Sequence, residues 1–146
     1  MVFKGDAARE SVYQDQEGIR FMKTWTSDEL DKIEKTDELR LASLQRDGTL
    51  RKPVTIWVVS IGADLYVRAV NGRNGKWFRG TQERHEGHIR CGGVENDVVF
   101  VEETDEKILD QIDAAYRTKY RKYPTDYVAS TLTPRARSAT IKLVPN

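Results

Sequence analysis

The chain has 146 residues, of which 38% are hydrophobic, and its 24 basic and 23 acidic side chains leave a net charge of +1 at pH 7. This length fits one domain, and the composition is too hydrophobic and too balanced in charge for a disordered chain. The balance also argues against a general nucleic-acid or membrane-surface binder, which usually carries a clear excess of positive charge.

The cysteine content and the hydropathy of the chain exclude further classes of protein. Cys91 is the single cysteine, which excludes an internal disulfide framework and a cysteine-based zinc finger. Because it lies between apolar residues and glycines, we interpret it as a small buried hydrophobe rather than a nucleophile. No stretch approaches the roughly 20 apolar residues that cross a bilayer, and the N-terminus lacks the apolar centre of a secretory signal. We expect a soluble, cytoplasmic protein without a membrane partner.

The first regular element is a helix predicted over residues 27–35. Thr26, followed three positions later by Glu29, fits the capping box that starts a helix. Trp25 and Leu30 have the spacing of the two hydrophobic residues that flank such a cap.

Strand-like segments separated by turns follow from Leu39. Asp47-Gly48 predicts a hairpin, because both residue types tolerate a positive φ. The run TLRKPVTIWVVSI (49–61) is rich in β-branched and aromatic residues and predicts a strand. Gly62-Ala63-Asp64 then turns the chain into the strand LYVRAV, which completes a second hairpin.

Residues 71–80, NGRNGKWFRG, contain three glycines and are predicted to form a functional loop. A further strand pair is predicted at 87–92 and 97–103, with its turn around Glu95-Asn96-Asp97. Thr104-Asp105 can cap a helix whose apolar residues recur at i, i+3, i+4 spacing before Pro124. Those residues are Ile108, Leu109, Ile112, Ala115, Tyr116 and Tyr120.

SATIKLVP (138–145) alternates as the last strand. Six strands and two helices in this order predict an α+β fold whose antiparallel sheet curls on itself to protect its edges. On this interpretation residues 1–24, which begin with a polar and aperiodic stretch, form an N-terminal arm. Residues 25–146 form the domain.

The candidate chemistry lies in two segments, GTLRKPVTIWVV (48–59) and VRAVNGRNGKWFRG (67–80). Their cations suit phosphate, their glycines let backbone N–H groups approach an anion, and their aromatic rings suit a planar ligand. The cations are Arg51, Lys52, Arg68, Arg73, Lys76 and Arg79, with Thr49, Thr55 and Asn71 as uncharged partners and Trp57, Trp77 and Phe78 as rings. A solvated basic hairpin whose tryptophans fill the core explains the same residues and stays open.

The sequence Arg84-His85-Glu86-Gly87-His88 raises the question of a metal site. Its histidines are three apart, whereas the zinc-protease motif places them four apart on a helix. On an extended strand, residues three apart face opposite sides, so this pattern does not favour a metal site.

From about Trp25 to the C-terminus, the chain resembles the FMN-binding split β-barrel superfamily, which includes pyridoxamine-phosphate-oxidase-like proteins. Within it, the chain is most similar to small bacterial proteins related to deazaflavin-dependent nitroreductases, including an uncharacterised branch. The matching features are GTLRKPVTIWVV, DLYVRAVNGRNGKWFRG, the strand VVFVEE and the amphipathic helix after it. The resemblance implies a six-stranded antiparallel split β-barrel with two short-to-medium helices.

The resemblance also implies a cofactor site. It places phosphate contacts at Arg51, Lys52, Arg73 and Lys76, and the isoalloxazine ring against the backbone of Thr55 to Trp57. FMN is the first expectation, with deazaflavin or no flavin as alternatives, because GRNGKWFRG replaces the proline-tryptophan-asparagine pattern of the nitroreductases. No catalytic side chain is expected, since hydride transfer runs through the cofactor. The full predicted cofactor-binding set is Arg51, Lys52, Thr55, Trp57, Arg68, Asn71, Arg73, Lys76 and Trp77.

Three functions follow as hypotheses. The first is a flavin-type oxidoreductase of unknown substrate, and the second is a split-barrel protein that binds a small planar or anionic ligand without turnover. The third is a nucleic-acid-binding module that uses the basic segment 68–90, which the near-neutral total charge disfavours. We also expect a homodimer, as the resemblance implies. The arm at residues 1–20 and the tyrosine-rich helix face of Tyr116, Tyr120 and Tyr123 offer surface for such an interface.

Overall fold

The computed structural model describes residues 10–15 and 18–146, and the side chains from Lys23 onward. Its strands are β1 (Glu10–Asp15), β2 (Gly18–Lys23), β3 (Glu38–Ser43), β4 (Val54–Trp57), β5 (Val59–Ile61), β6 (Asp64–Arg68), β7 (Glu86–Cys91), β8 (Val94–Glu102) and β9 (Thr140–Pro145). Its α-helices are α1 (Ser27–Glu34), α2 (Lys76–Arg84), α3 (Glu106–Lys119), α4 (Thr125–Ser130) and α5 (Pro134–Arg137). None of these helices has both the length and the apolar character that a membrane span requires.

Seven strands form one antiparallel sheet in the order β4-β3-β7-β8-β9-β6-β5, which nearly closes into a barrel. The α+β barrel is therefore confirmed, with seven strands in the sheet where six were predicted and with five α-helices among the described residues where two were predicted. Within the predicted arm, β1 and β2 pair as a separate antiparallel ribbon. Residues 1–9, 16 and 17 of that arm lie outside the described residues.

The additional strand arises at Val58, where the predicted strand 49–61 divides into β4 and β5. β4 pairs with β3 at one edge of the sheet, whereas β5 pairs with β6 at the other edge. The two edge strands are thus consecutive in the chain and separated by one residue. The barrel closes at this point through the covalent chain rather than through a ladder of hydrogen bonds.

Side chains from α3 and the residue after it satisfy the backbone of Val58. The Tyr120 hydroxyl accepts a hydrogen bond from the Val58 N–H at 2.9 Å, and it lies 2.8 Å from the Val58 carbonyl and 2.7 Å from that of Asp37. The Lys119 ammonium donates to the carbonyls of Val58 at 2.9 Å and Ile33 at 3.2 Å. Val58 is fully buried, and buried backbone groups need such partners.

Apolar layers lie on both faces of the sheet, because successive side chains of a strand point to opposite faces. Leu65 and Val67 of β6 face the barrel core, together with Leu39, Ile89 and Ile141. Tyr66, between them, faces the second layer beneath α3, with Leu109, Ile112, Tyr116 and Tyr120. The two tyrosines of α3 and its C-cap thus cover one side of the barrel within the same chain.

Local signals in the sequence are confirmed where they depend on near neighbours. Thr26 and Glu29 form the capping box of α1, with both reciprocal hydrogen bonds present. Asp105 is the N-cap of α3 and accepts hydrogen bonds from two backbone N–H groups of its first turn. Gly48 and Gly62 have positive φ in the two predicted hairpins.

Two predictions of local structure were wrong. Residues 71–80 are not a loop, because they contain a short 3₁₀ turn (Gly72–Asn74) and the first half of α2. Gly80 lies inside this helix, where a Cβ would come within 2.7 Å of the Ser43 hydroxyl, so close packing accounts for the glycine there. The turn of the β7–β8 hairpin lies at Gly92-Gly93, both with positive φ, and not at residues 95–97.

Replacing Tyr120 with Phe should lower the free energy of unfolding by about 1–3 kcal/mol. The substitution keeps the ring but leaves the buried Val58 N–H without its hydroxyl acceptor, and such loss costs about that much. Urea denaturation measures the change. Tyr127→Phe is the matched control, because Tyr127 is exposed and its hydroxyl makes no hydrogen bond within the described residues. Equal stability of the two variants would contradict the role given to Tyr120.

Candidate functional site

A cavity of about 250 Å³ opens at the seam of the barrel, between β4, the end of β6 and helices α3 and α4. β4 is one edge of the sheet and β6 lies next to the other, so hydrogen bonds do not close the sheet here. We call this cavity the aromatic pocket. Its lining residues are Thr55, Ile56, Trp57, Arg68, Val70, Trp77, Tyr116, Tyr127, Ser130 and Thr131.

Packing from behind holds the aromatic walls in place. The ring of Trp57 stacks on Tyr120 with centroids 4.0 Å apart and planes within 5°, and Tyr123 packs beside it at 5.1 Å. Trp77, near the start of α2, packs against the barrel core. Burial raises the pKa of the Tyr116 phenol, so this ring presents a neutral hydroxyl. The rings of Trp57 and Trp77 are therefore packed from behind, and the walls carry no charge.

The buried guanidinium of Arg68 borders the bottom of the pocket. Its Nε donates to the Thr140 hydroxyl at 3.0 Å, and its terminal nitrogens donate to the carbonyls of Thr131 at 2.9 Å and Leu109 at 3.0 Å. It also forms an ion pair with Asp113, and its side chain has no exposed surface. Breaking such a buried pair is costly, because it leaves one charge without a partner.

Asp113 in turn joins two arginines. One of its oxygens contacts Arg68 and the other lies 2.6 Å from Arg137 of α5. This network ties α3 and α5 to the end of β6. The positive charge beneath the pocket is thus already neutralised by the protein, and Arg68 acts there as a fixed polar floor.

The mouth of the pocket combines exposed apolar groups with hydroxyls. Val70 is 42% exposed and Tyr127 60% exposed. The hydroxyls of Ser130 and Thr131 donate their protons to backbone carbonyls at 2.6 and 2.7 Å. Their free lone pairs can therefore accept a hydrogen bond from a ligand N–H. Thr55 makes no side-chain hydrogen bond within the described residues, so its hydroxyl is available in either role.

The structure brings four of the nine predicted cofactor-binding residues together in the aromatic pocket. They are Thr55, Trp57, Arg68 and Trp77. Asn71 precedes the 3₁₀ turn and its side chain forms no capping hydrogen bond. Lys52 and Lys76 are exposed and form no ion pair with any described residue.

The two remaining arginines of the predicted phosphate site are held by carboxylates. Arg51 lies 2.7 Å from Glu83 of α2, and Arg73 lies 2.7 Å from Glu102 at the end of β8. Both arginines therefore already have a carboxylate partner within the chain, whereas the two lysines have none among the described residues. Their role in binding phosphate stays a prediction.

Six residues of the pocket were missed by sequence reasoning. The helical spacing of Tyr116 predicts an apolar helix face, but it does not indicate that β4 lies close to it. Tyr127, Ser130 and Thr131 lie between Pro124 and the predicted strand 138–145, where the sequence predicts no element. The structure forms α4 and its C-cap there. Val70 belongs to a predicted strand without a site role, and Ile56 enters the expectation only through its backbone. Closure of the barrel brings these residues together.

The metal and thiol chemistry that the sequence raised as alternatives receives no support from the described residues. The described residues contain no group of three or more side chains arranged to hold a metal ion. Cys91 is buried, which confirms its interpretation as a small hydrophobe, and burial raises the pKa of its thiol to about 11. A thiol in that state is a poor nucleophile near neutral pH.

His88 of β7 lies between two carboxylates of β8. Its Nδ1 is 2.8 Å from Asp97, the residue directly opposite, and its Nε2 is 2.8 Å from Glu95. The hydrogen bond with Asp97 is the largest cause of a raised pKa for His88, and Glu95 adds to it. Both ring nitrogens thus face acceptors, which favours the doubly protonated imidazolium.

The stability of the protein should fall as the pH rises from about 6 to 8, and His88→Gln should flatten this fall. A histidine with a raised folded-state pKa contributes its full stability below its unfolded pKa of about 6.5, and this contribution disappears as the pH rises through the folded value. Because both carboxylates are largely exposed, the effect should stay within about 1 kcal/mol.

Thermal unfolding at several pH values measures this dependence. His85→Asn is the matched control, since the His85 side chain contacts no carboxylate among the described residues and asparagine tolerates its positive φ. If His88→Gln retains the wild-type fall, the imidazolium assignment is wrong.

Comparison with known proteins addresses the family and the fold. The chain is similar to the crystal structure of the conserved hypothetical protein Rv2991 from Mycobacterium tuberculosis, with 10% identity and a TM-score of 0.60. The match covers 92% of this chain and 84% of that one, and at this identity it shows a shared fold alone. None of the curated proteins compared with the chain matches it.

A family model described as "Uncharacterized protein conserved in bacteria (DUF2255)" matches residues 29–143. Neither match names a flavin, so membership of the FMN-binding superfamily stays a prediction. The family model covers most of α1, most of β9 and everything between them, including every residue of the aromatic pocket. The chain belongs to the bacterial family DUF2255.

Proposed function

We propose that this protein binds a planar aromatic ligand of the flavin type in the aromatic pocket, with FMN as the first candidate and deazaflavin as the second. One observation carries the proposal: the rings of Trp57, Trp77, Tyr116 and Tyr127 line a single cavity. Sites for small molecules are typically apolar, with a few placed polar groups. Aromatic walls favour a flat ligand, because stacked rings gain about 0.5–1.5 kcal/mol per pair beyond burial.

The size and polarity of the pocket fit the ring system of such a ligand. Its volume of about 250 Å³ lies just below the roughly 300–1,000 Å³ of sites that enclose a whole drug-sized molecule. A ring system can therefore enter while its side chain projects through the open mouth. The hydroxyl oxygens of Ser130 and Thr131 can accept a hydrogen bond from the N–H at the edge of a flavin ring.

A bound flavin would supply two-electron transfer, and the protein would supply binding and orientation. The aromatic walls would set the plane of the ring, and the network of Arg68 and Asp113 would keep the floor in one position. We therefore propose an oxidoreductase of unknown substrate, with binding without turnover as the alternative. Oxidation of NADPH by the flavin-loaded protein, above the rate of free flavin, separates the two.

The nucleic-acid alternative receives less support from the geometry. Two cations of the segment 68–90 already form ion pairs within the chain. Arg68 is buried against Asp113, and Arg73 pairs with Glu102. A phosphate backbone is bound by arginines and lysines that are free to neutralise it.

Wild-type protein should bind FMN and riboflavin, and Val70→Trp should weaken both at least about tenfold. The larger side chain at the mouth of the pocket occupies space that the ring needs, and tenfold corresponds to about 1.4 kcal/mol. Quenching of flavin and tryptophan fluorescence during titration measures the affinities.

Val101→Trp is the matched control for this experiment. Val101 is 39% exposed, close to the 42% of Val70, but it lies on β8 outside the pocket. It should bind both flavins as the wild type does. Failure of FMN, riboflavin and a deazaflavin to bind would reject the flavin-type ligand, and equal weakening by both variants would place the site elsewhere.

We also propose a homodimer, on different grounds from those of the sequence. Tyr116 and Tyr120 are buried within the chain and Tyr123 donates its hydroxyl proton to Asp37, so these tyrosines do not offer a free surface. Val70 and Tyr127 instead expose apolar area around the pocket. Light scattering at micromolar concentration should give about twice the chain mass of 16.8 kDa, and a mass near 16.8 kDa would contradict the dimer.

A further inference from the structure

A second hollow, of about 340 Å³, lies on the face of the sheet next to the aromatic pocket. Arg40 of β3, Arg90 of β7 and Thr55 of β4 line it, together with the carboxylates of Glu38 and Glu95. We call it the arginine hollow. Neither Arg40 nor Arg90 was among the predicted site residues.

Strand register places the two arginines side by side. Arg40 lies directly opposite Arg90 in the β3–β7 pair and directly opposite Thr55 in the β3–β4 pair. Like charges opposite each other on neighbouring strands repel and destabilise a sheet. Unless something neutralises it, this pair is a cost to the fold.

The protein itself neutralises the pair only weakly. Arg40 has no ion-pair partner among the described residues. Arg90 has Glu95 at 3.9 Å, the limit of an ion pair, and both side chains are more than half exposed. The other oxygen of Glu95 is 2.8 Å from His88, which draws this carboxylate toward the histidine. The terminal nitrogens of both guanidinium groups are therefore free to bind an external acceptor.

We propose that Arg40 and Arg90 bind one phosphate group. A guanidinium presents a planar fork of N–H donors that matches two phosphate oxygens, and two adjacent forks suit a doubly charged anion. The hydroxyl of Thr55, on the next strand in the same row, supplies a further donor. Glu38 lines the same hollow, and its carboxylate repels an anion. Removal of this negative charge therefore tests directly whether the hollow binds an anion.

The phosphate group bound here could be free inorganic phosphate or the phosphate of a ligand held in the aromatic pocket, and the position of Thr55 makes the second source possible. Thr55 lines both the arginine hollow and the aromatic pocket. A planar ligand seated in the pocket could therefore place a phosphate monoester across Thr55 onto the two arginines. This second source rests on the proposed function, whereas binding of free phosphate does not.

Calorimetric titration with inorganic phosphate at low ionic strength tests the site. Arg40→Ala and Arg90→Ala should each weaken phosphate binding about 5- to 20-fold, as expected for loss of a charge-assisted contact. Glu38→Gln should strengthen it. Arg117→Ala, an exposed arginine of α3 outside the hollow, should leave it unchanged. Absence of phosphate binding, or binding that neither arginine variant weakens, would overturn the proposal.

Titration of the same variants with FMN and riboflavin identifies the source. If Arg40→Ala weakens FMN but not riboflavin, the site holds the phosphate end of the planar ligand. If Arg40→Ala weakens binding of inorganic phosphate and leaves the affinity for both flavins unchanged, the site holds a free anion. If neither flavin binds at all, the flavin proposal fails while the phosphate titration still decides the arginine hollow.

Discussion

The hydrogen bonds that satisfy the backbone of Val58 are the contacts on which the rest of the molecule depends. At this residue the chain leaves one edge of the sheet and joins the other, so no neighbouring strand is positioned to pair with it. The Tyr120 hydroxyl and the Lys119 ammonium take the place of that strand. The Lys119 ammonium is partly withdrawn from water in making these contacts, and this burial lowers its pKa. The barrel is thus closed by polar contacts that lie within an apolar layer.

The same contacts position the candidate site. Trp57 directly precedes the crossing, and its ring stacks on the phenol whose hydroxyl holds Val58. One wall of the aromatic pocket is therefore fixed by barrel closure itself. The opposite side is fixed by Arg68 and Asp113, which connect the end of β6 to α3. A pocket at the seam of a barrel would otherwise be its least constrained region, and these two sets of contacts supply the rigidity that a ligand site requires.

Features that depend on near neighbours in the sequence could be predicted, such as the capping box of Thr26 and Glu29. The crossing at Val58 could not, because a run of β-branched residues has the same pattern in one strand as in two strands at opposite edges. Gly80 resembled a loop glycine, since the approach of Ser43 that requires it is a tertiary contact. The same distinction holds for the aromatic pocket. Its β4 and β6 residues lie in one predicted hairpin and could be placed together from the sequence, whereas its α4 residues reach the pocket only through tertiary packing.

The position of β9 has a consequence for the order of folding. It is the last strand of the sheet in sequence, yet it lies between β8 and β6, near the centre. The hairpins β7–β8 and β5–β6 are local and can form early, but no hydrogen bond of the sheet joins the two halves until β9 inserts. Pairings between such distant segments slow folding. During that interval β8 and β6 both present an open edge, so the chain is most exposed to pairing with another copy before its final strand is in place.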